Sequence, residues 1–284
     1  MQGVLLRQGK KIVLGETPLI PWASLKGCRA VVMHIKGLEE TGDWLRRRLR
    51  AIGFDVDAPV SVEASSEDIA RVLREMMARN DLIILVGGIR PGATPSLEGV
   101  AEVLGRELMV NDEAFEMVKD YYLFERGENM DDELPDEAKP LVMLPEGSLV
   151  LRNPRGVAPG VILEEEERHI VCLPESDLEA REMFEEEADP YIRHLAGVSL
   201  SVSFHIMTGE WSIEKLSRVI RILEEEKPWM FVQVKPNVFT REGRGVTVTV
   251  FACSAEELSE KLEKAEDSIR ETLGRLNIRI IEKK

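Results

Sequence analysis

Asp81-Leu82-Ile83-Ile84-Leu85-Val86 runs straight into Gly87-Gly88-Ile89-Arg90-Pro91-Gly92-Ala93-Thr94-Pro95-Ser96. An unbroken apolar run of this length, without alternation, describes a strand covered on both faces, as strands of a parallel sheet are. Thr94 then offers a helix N-cap and Pro95 a first helical residue, for a helix carrying Leu97, Val100, Ala101 and Leu104. In open α/β sheets ligands lie beyond the carboxyl ends of the strands, where this turn falls. Glycines let the backbone approach a ligand, free N–H groups attract anions, and Arg90 adds a charge-assisted donor. A glycine pair after a strand also serves as a plain turn, so the loop alone does not decide function.

The same grammar extends on both sides. Ala30 to Ile35 reads as a second buried strand, followed by a helix over 41–52 that Gly53 ends. Ser65 caps the next helix, with Asp68 closing a capping box and Ile69, Val72, Leu73, Met76 and Met77 forming its apolar stripe. Strand and helix in alternation predict an α/β fold, a three-layer α/β/α sandwich. Near Ala196-Gly197 the pattern changes. Val198, Leu200, Val202, Phe204 and Ile206 alternate with Ser199, Ser201, Ser203 and His205, predicting a sheet with one buried and one wet face. Helices capped by Ser212 and Ser254, strands near 229–235 and 245–253, and a last strand over 278–281 give the order βαββαβ of a small ferredoxin-like α+β domain. Val4–Leu6 and Lys11–Leu14 read as a β-hairpin about Gln8-Gly9, with Pro18 and Pro21 leading onward. The expected division is a hairpin arm over 1–27, a sandwich over 28–192 and a small domain over 197–284.

Charge narrows the partners. The 284 residues carry a formal net charge of −15, which argues against duplex nucleic acid as the main ligand. The excess is local: residues 102–190 hold 8 basic and 26 acidic side chains, while residues 197–284 hold 14 of each. Its acidic runs, including Asp131-Asp132-Glu133, Glu164 to Glu167 and Glu185 to Glu187, read as solvated faces, since no His or Cys accompanies them. Cys28, Cys172 and Cys253 are too few and scattered for a disulfide framework, which predicts a reduced, cytoplasmic protein. No apolar stretch reaches the roughly 18 residues of a membrane span. Nine Asn and Gln beside abundant Glu and Arg point to a thermophile. The four His (His34, His169, His194, His205) share no metal spacing and are assigned structural or surface roles, and Cys172 is assigned to the core. Trp211 and Trp229 flank the first helix of the small domain and are expected to close its core.

Two further loops hold small residues and prolines at high density: Leu144-Pro145-Glu146-Gly147-Ser148, and Asn153-Pro154-Arg155-Gly156-Val157-Ala158-Pro159-Gly160. A third strand, Ile170 to Leu173, meets Pro174 and a helix with Ser176 as N-cap and Glu179 closing its capping box. Taken in order with the 87–91 turn and Val103 to Leu108, these stretches resemble the MoaB/Mog-type molybdopterin-binding domain. They look closest to the version at the N-terminus of CinA (competence/damage-inducible) proteins, over about Ala30 to Tyr191. Residues 197–284 are similar to the small KH-like domain that follows there, without the Gly-x-x-Gly loop of RNA-binding modules.

The resemblance implies a three-layer sandwich, homo-oligomers, and a pterin or nucleotide (pyro)phosphate as ligand. It places Gly87, Gly88, Ile89, Arg90, Gly92, Thr94, Ser96, Asn153, Pro154, Gly156, Ala158, Pro159, Gly160 and Pro174 at the ligand. The family's Gly-Pro-Thr-x-Asp-Asp, whose acids serve Mg²⁺ and catalysis, stands here as Arg90 to Ser96 without a carboxylate. A metal-assisted phosphoryl reaction needs carboxylates to hold its ion. The leading expectation is therefore a binding protein with weak or lost catalysis. A second is an ADP-ribose pyrophosphatase, an Mg²⁺-dependent hydrolase with Glu39, Glu40 or Glu63 as replacement ligands, and a third is a non-catalytic assembly protein.

Overall fold

A computed structural model describes residues 3–7, 10–14, 28–125, 134–235 and 237–281. The turn at Gln8-Gly9, Pro18 and Pro21, and the Asp131-Asp132-Glu133 run lie outside the described residues. In chain order, β1 (Gly3–Arg7) and β2 (Lys10–Leu14) form an antiparallel pair. They precede β3 (Arg29–Ile35), α1 (Glu39–Ile52), β4 (Asp55–Val56), β5 (Val60–Val62) and α2 (Ser66–Met77). Next come β6 (Leu82–Val86), α3 (Pro95–Leu104), β7 (Leu108–Val110), α4 (Asp112–Glu125), β8 (Met143–Pro145), β9 (Leu149–Leu151), β10 (Gly160–Glu165) and β11 (Arg168–Leu173). α5 (Asp177–Met183) runs through a π-helical turn (Phe184–Ala188) into α6 (Asp189–Leu195). The remainder is β12 (Leu200–Met207), α7 (Ile213–Glu226), β13 (Met230–Gln233), β14 (Gly245–Ala252) and α8 (Ala255–Arg275).

By its contacts the chain divides into two units, Cys28–Arg46 with Asp55–Ile192, and Met1–Gly27 with Arg47–Phe54 and Arg193–Lys284. The first is the three-layer α/β/α sandwich. Its sheet has the order β4-β3-β6-β11-β10-β9, with β5 also paired to β3. The neighbours β3, β6 and β11 are parallel, and β10 and β9 turn back antiparallel. Every residue of β6 is buried, as its unbroken apolar run requires. Val31, Met33, Ile83 and Leu85 join a core with Ile69 and Leu73 of α2, Val100 of α3 and Val118 of α4. The other layer holds α1 and the α5–α6 segment, where Trp44 and Phe184 meet edge to face at 5.7 Å. Ser65 accepts from the Asp68 N–H at 3.3 Å, while the Asp68 carboxylate takes the N–H of Glu63 at 3.0 Å, two residues before the one a capping box would take. Burial pushes the Cys172 thiol up to about 12, which keeps it a neutral core side chain.

At the amino end of β11, His169 Nδ1 lies 2.7 Å from the Tyr191 hydroxyl, which donates to Glu164 at 2.6 Å. Burial holds the His169 imidazole below its ordinary value of 6.5, outweighing the nearby Glu164 and Asp81 charges. The unfolded chain therefore takes up this proton before the folded one. His169 contributes stability that is present above pH 6.5 and lost as pH falls from there towards the folded value. Melting temperatures at pH 7.5 and 5.5 should differ less in His169→Gln than in the parent; an equal difference would refute the assignment.

In the second unit the sheet order is β1-β2-β12-β14-β13, with β2 beside β12 over Leu200–Ser203. This position is the one a fourth strand takes in a ferredoxin-like unit. The expected strand over 278–281 is reduced accordingly to a bridge between Thr208 and Ile280 at the far end of β12. One sheet face packs on α7 and α8 through Val202, Phe204, Leu216, Val219, Val248 and Ile269. The expected wet face is wet in part: Ser199 and His205 are exposed and Ser201 and Ser203 half-buried, but the β14 positions beside them are covered. Thr247, Thr249 and Phe251 of β14 are buried, Ser203 and His205 bond to Thr249 and Thr247, and the Arg48 guanidinium stands 5.1 and 4.6 Å from the Phe231 and Phe251 rings. The last turns of α1, counted in this unit, cover that face. Trp229 packs against the core, but Trp211 does not: it is 47% exposed and sits 6.3 Å from the exposed Phe239 ring.

Candidate functional site

The parallel pairing of β6 with β11 brings the glycine turn and the Pro174 loop to one edge of the sheet. The Gly87 N–H donates to Leu173 O at 3.0 Å, and Arg90 Nε lies 3.2 Å from a Glu175 carboxylate oxygen. Arg90-Pro91-Gly92-Ala93 closes on itself: Arg90 and Ala93 exchange both N–H···O bonds at 3.1 Å, with proline second and glycine third at φ +83°. The Gly92 N–H reaches Glu137 O at 2.7 Å. Ser96, expected at the ligand, is buried; its hydroxyl donates to Gly87 O at 2.7 Å and its N–H to Gly88 O at 3.2 Å. Thr94 occupies the N-cap of α3 and is buried, and its side chain makes no capping bond. Most of the expected cradle is thus consumed by the turn itself. Among the described residues, the N–H groups of Gly88 and Ile89 meet no acceptor, although both residues are buried. Buried N–H groups without partners are rare, and each calls for an explanation.

The Asn153 to Gly160 loop reaches the same edge, since it precedes β10, which runs antiparallel to β11. Asn153 is spent on structure. Its Oδ1 accepts from the N–H groups of Arg155 and Gly156, and its Nδ2 donates to Ala158 O at 2.8 Å and to Glu179 Oε2 at 2.7 Å. Glu179 is thereby diverted from the capping box its spacing predicted, and Ser176 alone caps α5, weakly, at 3.5 Å. A Cβ at Gly156 would strike the Glu179 carboxylate, and one at Gly160 the Met183 sulfur. The glycines of this loop therefore answer to α5 packing. Pro154 is exposed, whereas Ala158, Pro159 and Pro174 are buried. Thr41 donates to Asp177, which also pairs with Arg181 at 2.7 Å, fastening the start of α1 to α5.

Beyond β3, the loop 36–40 lies against the glycine turn: a Cβ at Gly87 would stand 2.7 Å from Leu38 Cδ1. This loop carries Lys36, which sequence reasoning passed over and which pairs with Glu63 at the end of β5. That hydrogen bond and charge raise the Lys36 pKa above its ordinary value. Glu39 accepts the Gly37 N–H at 3.1 Å, which lowers its pKa, and Asp68 is held down by the Glu63 N–H and then Arg71. These carboxylates are each committed to a proton donor. Among the described residues no three His, Cys, Asp or Glu side chains converge.

Residues 30–194 match the family model described as "Probable molybdopterin binding domain". The chain belongs to the molybdopterin-binding domain family. Similar proteins include one from Pyrobaculum calidifontis, 32% identical over 197 residues, covering 68% of this chain and 72% of that one. A competence-damage inducible protein of Caldicellulosiruptor saccharolyticus is 30% identical over 235 residues, covering 81% of this chain and 54% of its own length. The chain thus spans about half the length of that relative. The crystal structure of CinA from Thermoplasma acidophilum superposes with a TM-score of 0.51 at 21% identity, covering 58% of this chain and 98% of that one, a likeness of fold. Within this molybdopterin-binding domain, no described helix is long and apolar enough to cross a membrane, and the same holds along the rest of the described chain.

Proposed function

We propose that residues 30–194 bind the phosphate-bearing end of a pterin or nucleotide at the glycine turn, with catalysis weak or lost. The observation that carries this reading is the pair of unaccepted N–H groups of the buried residues Gly88 and Ile89 beside Arg90, at the carboxyl end of β6. Backbone donors fixed in this way hold an anion without reorganisation. Membership of the molybdopterin-binding family supports a pterin as one ligand class. The commitment of Glu39 and Glu63 to protein donors favours binding over metal-dependent hydrolysis. Calorimetric titration with ADP-ribose, FAD and molybdopterin precursors should show saturable binding of at least one, with no phosphate or AMP release in Mg²⁺, Mn²⁺ or Co²⁺. Failure to bind any of them removes the reading. Metal-dependent turnover abolished in Glu63→Gln would replace it with the pyrophosphatase.

A further inference from the structure

We infer that the small α+β domain carries a binding site of its own, where Trp211, Phe239 and Arg244 stack an unpaired base of single-stranded nucleic acid and Arg241 meets the adjoining phosphate. All four residues belong to one unit, apart from the glycine turn. The spacing in the sequence assigns Trp211 to a core, yet it is 47% exposed, 6.3 Å from a Phe239 ring that is 59% exposed. Tilted by 45°, the two rings do not stack on each other, and flat apolar surface stays in water. The Arg244 guanidinium stands 5.9 Å from the indole, and its Nε is buried without a hydrogen-bond partner. Three planar groups thus share one patch, and aromatic rings and guanidinium planes are what unstacked bases lie on.

Backbone bonds hold the patch in shape. The Arg244 N–H donates to Glu210 O at 2.9 Å, and Phe239 faces Arg244 across a bridge whose turn the Thr240 N–H closes on Gly243 O at 2.8 Å. The Glu210 carboxylate accepts the N–H groups of Trp211 and Ser212 at 3.0 and 2.9 Å, and Lys215 Nζ at 2.8 Å. A Cβ at Gly243 would strike Thr208 O and Glu210 N, so glycine is what lets the two segments meet. Rings on a backbone fixed in this way lose little freedom when a ligand covers them. Charge then favours a polyanion over an apolar partner. Within 208–215, 239–245 and 279, Glu210 pairs with Lys215 and Glu242 with Arg279. Among the described residues, Arg241 and Arg244 pair with no carboxylate, and Glu214 is the one acid of these segments left to oppose them. The acidic excess of the chain lies over 102–190, while residues 197–284 hold 14 charges of each sign. A duplex keeps its base faces stacked inside, so the patch suits a single strand.

Fluorescence anisotropy of labelled oligo(U) and oligo(dT), each about 12 nucleotides long, titrated with the full chain at low salt tests this. Saturable binding is expected, weakening as salt rises, with a duplex of the same length bound less tightly. Trp211→Ala and Phe239→Ala should each weaken it by about 5- to 150-fold, the range for one stacked base. Trp211→Leu, which keeps apolar bulk without a flat face, should fail to the same extent, and Trp211→Phe should stay within about fivefold of the parent. Arg241→Gln should lower the salt dependence by roughly one phosphate contact. Phe124→Ala, which removes an exposed ring from the other unit, should change nothing. Circular dichroism checks that each variant is folded; where Trp211→Ala is not, Trp211→Leu and Phe239→Ala decide. No binding of either oligonucleotide overturns the inference. So does binding for which duplex or free AMP competes equally well, or which Trp211→Leu leaves unchanged. The reading of the glycine turn stands or falls separately, by its own titration.

Discussion

Gly87→Ala is expected to melt about 4–20 °C below the parent, the shift that about 2–5 kcal/mol produces in a domain of this size. Two costs combine. Gly87 has φ +93°, a conformation that costs an alanine about 1–2 kcal/mol. The added Cβ would also stand 2.7 Å from Leu38 Cδ1 and 2.9 Å from Ile35 Cγ1, and overpacking of a filled site costs about 1–3 kcal/mol. Gly53→Ala separates the two, because Gly53 has φ +121° with nothing within 4 Å of its Cβ. It should show the conformational cost alone. Thermal melts followed by circular dichroism decide the matter: Gly87→Ala melting no lower than Gly53→Ala would show that loop 36–40 does not press on the turn.

The fold was legible where one residue pattern admits one environment. The unbroken Leu82–Val86 run can only be a strand covered on both faces, and Ser65, Ser212 and Ser254 each accept the N–H three residues on, as their spacing required. What escaped the sequence depends on distant partners. Arg48 stands in the run Arg46-Arg47-Arg48 and is 7% exposed between Phe231 and Phe251. A long side chain buries its stem and spreads its planar head on aromatic rings, and no local spacing announces this. The pairing of β2 with β12 joins residues nearly 190 positions apart, which alternation alone cannot foresee. At the site, the glycines, Arg90 and the Asn153 loop were identifiable as a group because they lie in turns. Which of them faces a ligand was not, since Ser96 and Asn153 have the same donors whether they hold a ligand or their own backbone. In the structure Ser96 bonds to Gly87 O, and Asn153 to Ala158 O and Glu179.

Phe184→Ala is expected to cost about 3–5 kcal/mol, the range for deleting a fully buried aromatic side chain. Phe184 is completely buried at the start of the π-helical turn and meets Trp44 edge to face. Its loss leaves a cavity between α1 and the α5–α6 segment and removes one of the ties that hold α5 in place. α5 in turn supplies Glu179 to Asn153 and Asp177 to Thr41, so the loss should spread from the core to the loop over 153–160. Denaturant titration should show the full stability loss, with Phe184→Leu limited to about 1.5 kcal/mol because most of the volume is kept. Hydrogen exchange resolves the direction in which the damage travels. The amides of Arg155 and Gly156, held by Asn153 Oδ1, should lose protection in Phe184→Ala, while those of α2 and α3 on the other side of the sheet should change only with global stability. Equal loss of protection in α2 and in the 153–160 loop would show that the loop is not fastened through α5. A selective loss would mean that the stretch most recognisable in the sequence keeps its shape through one buried phenylalanine that packs on Trp44.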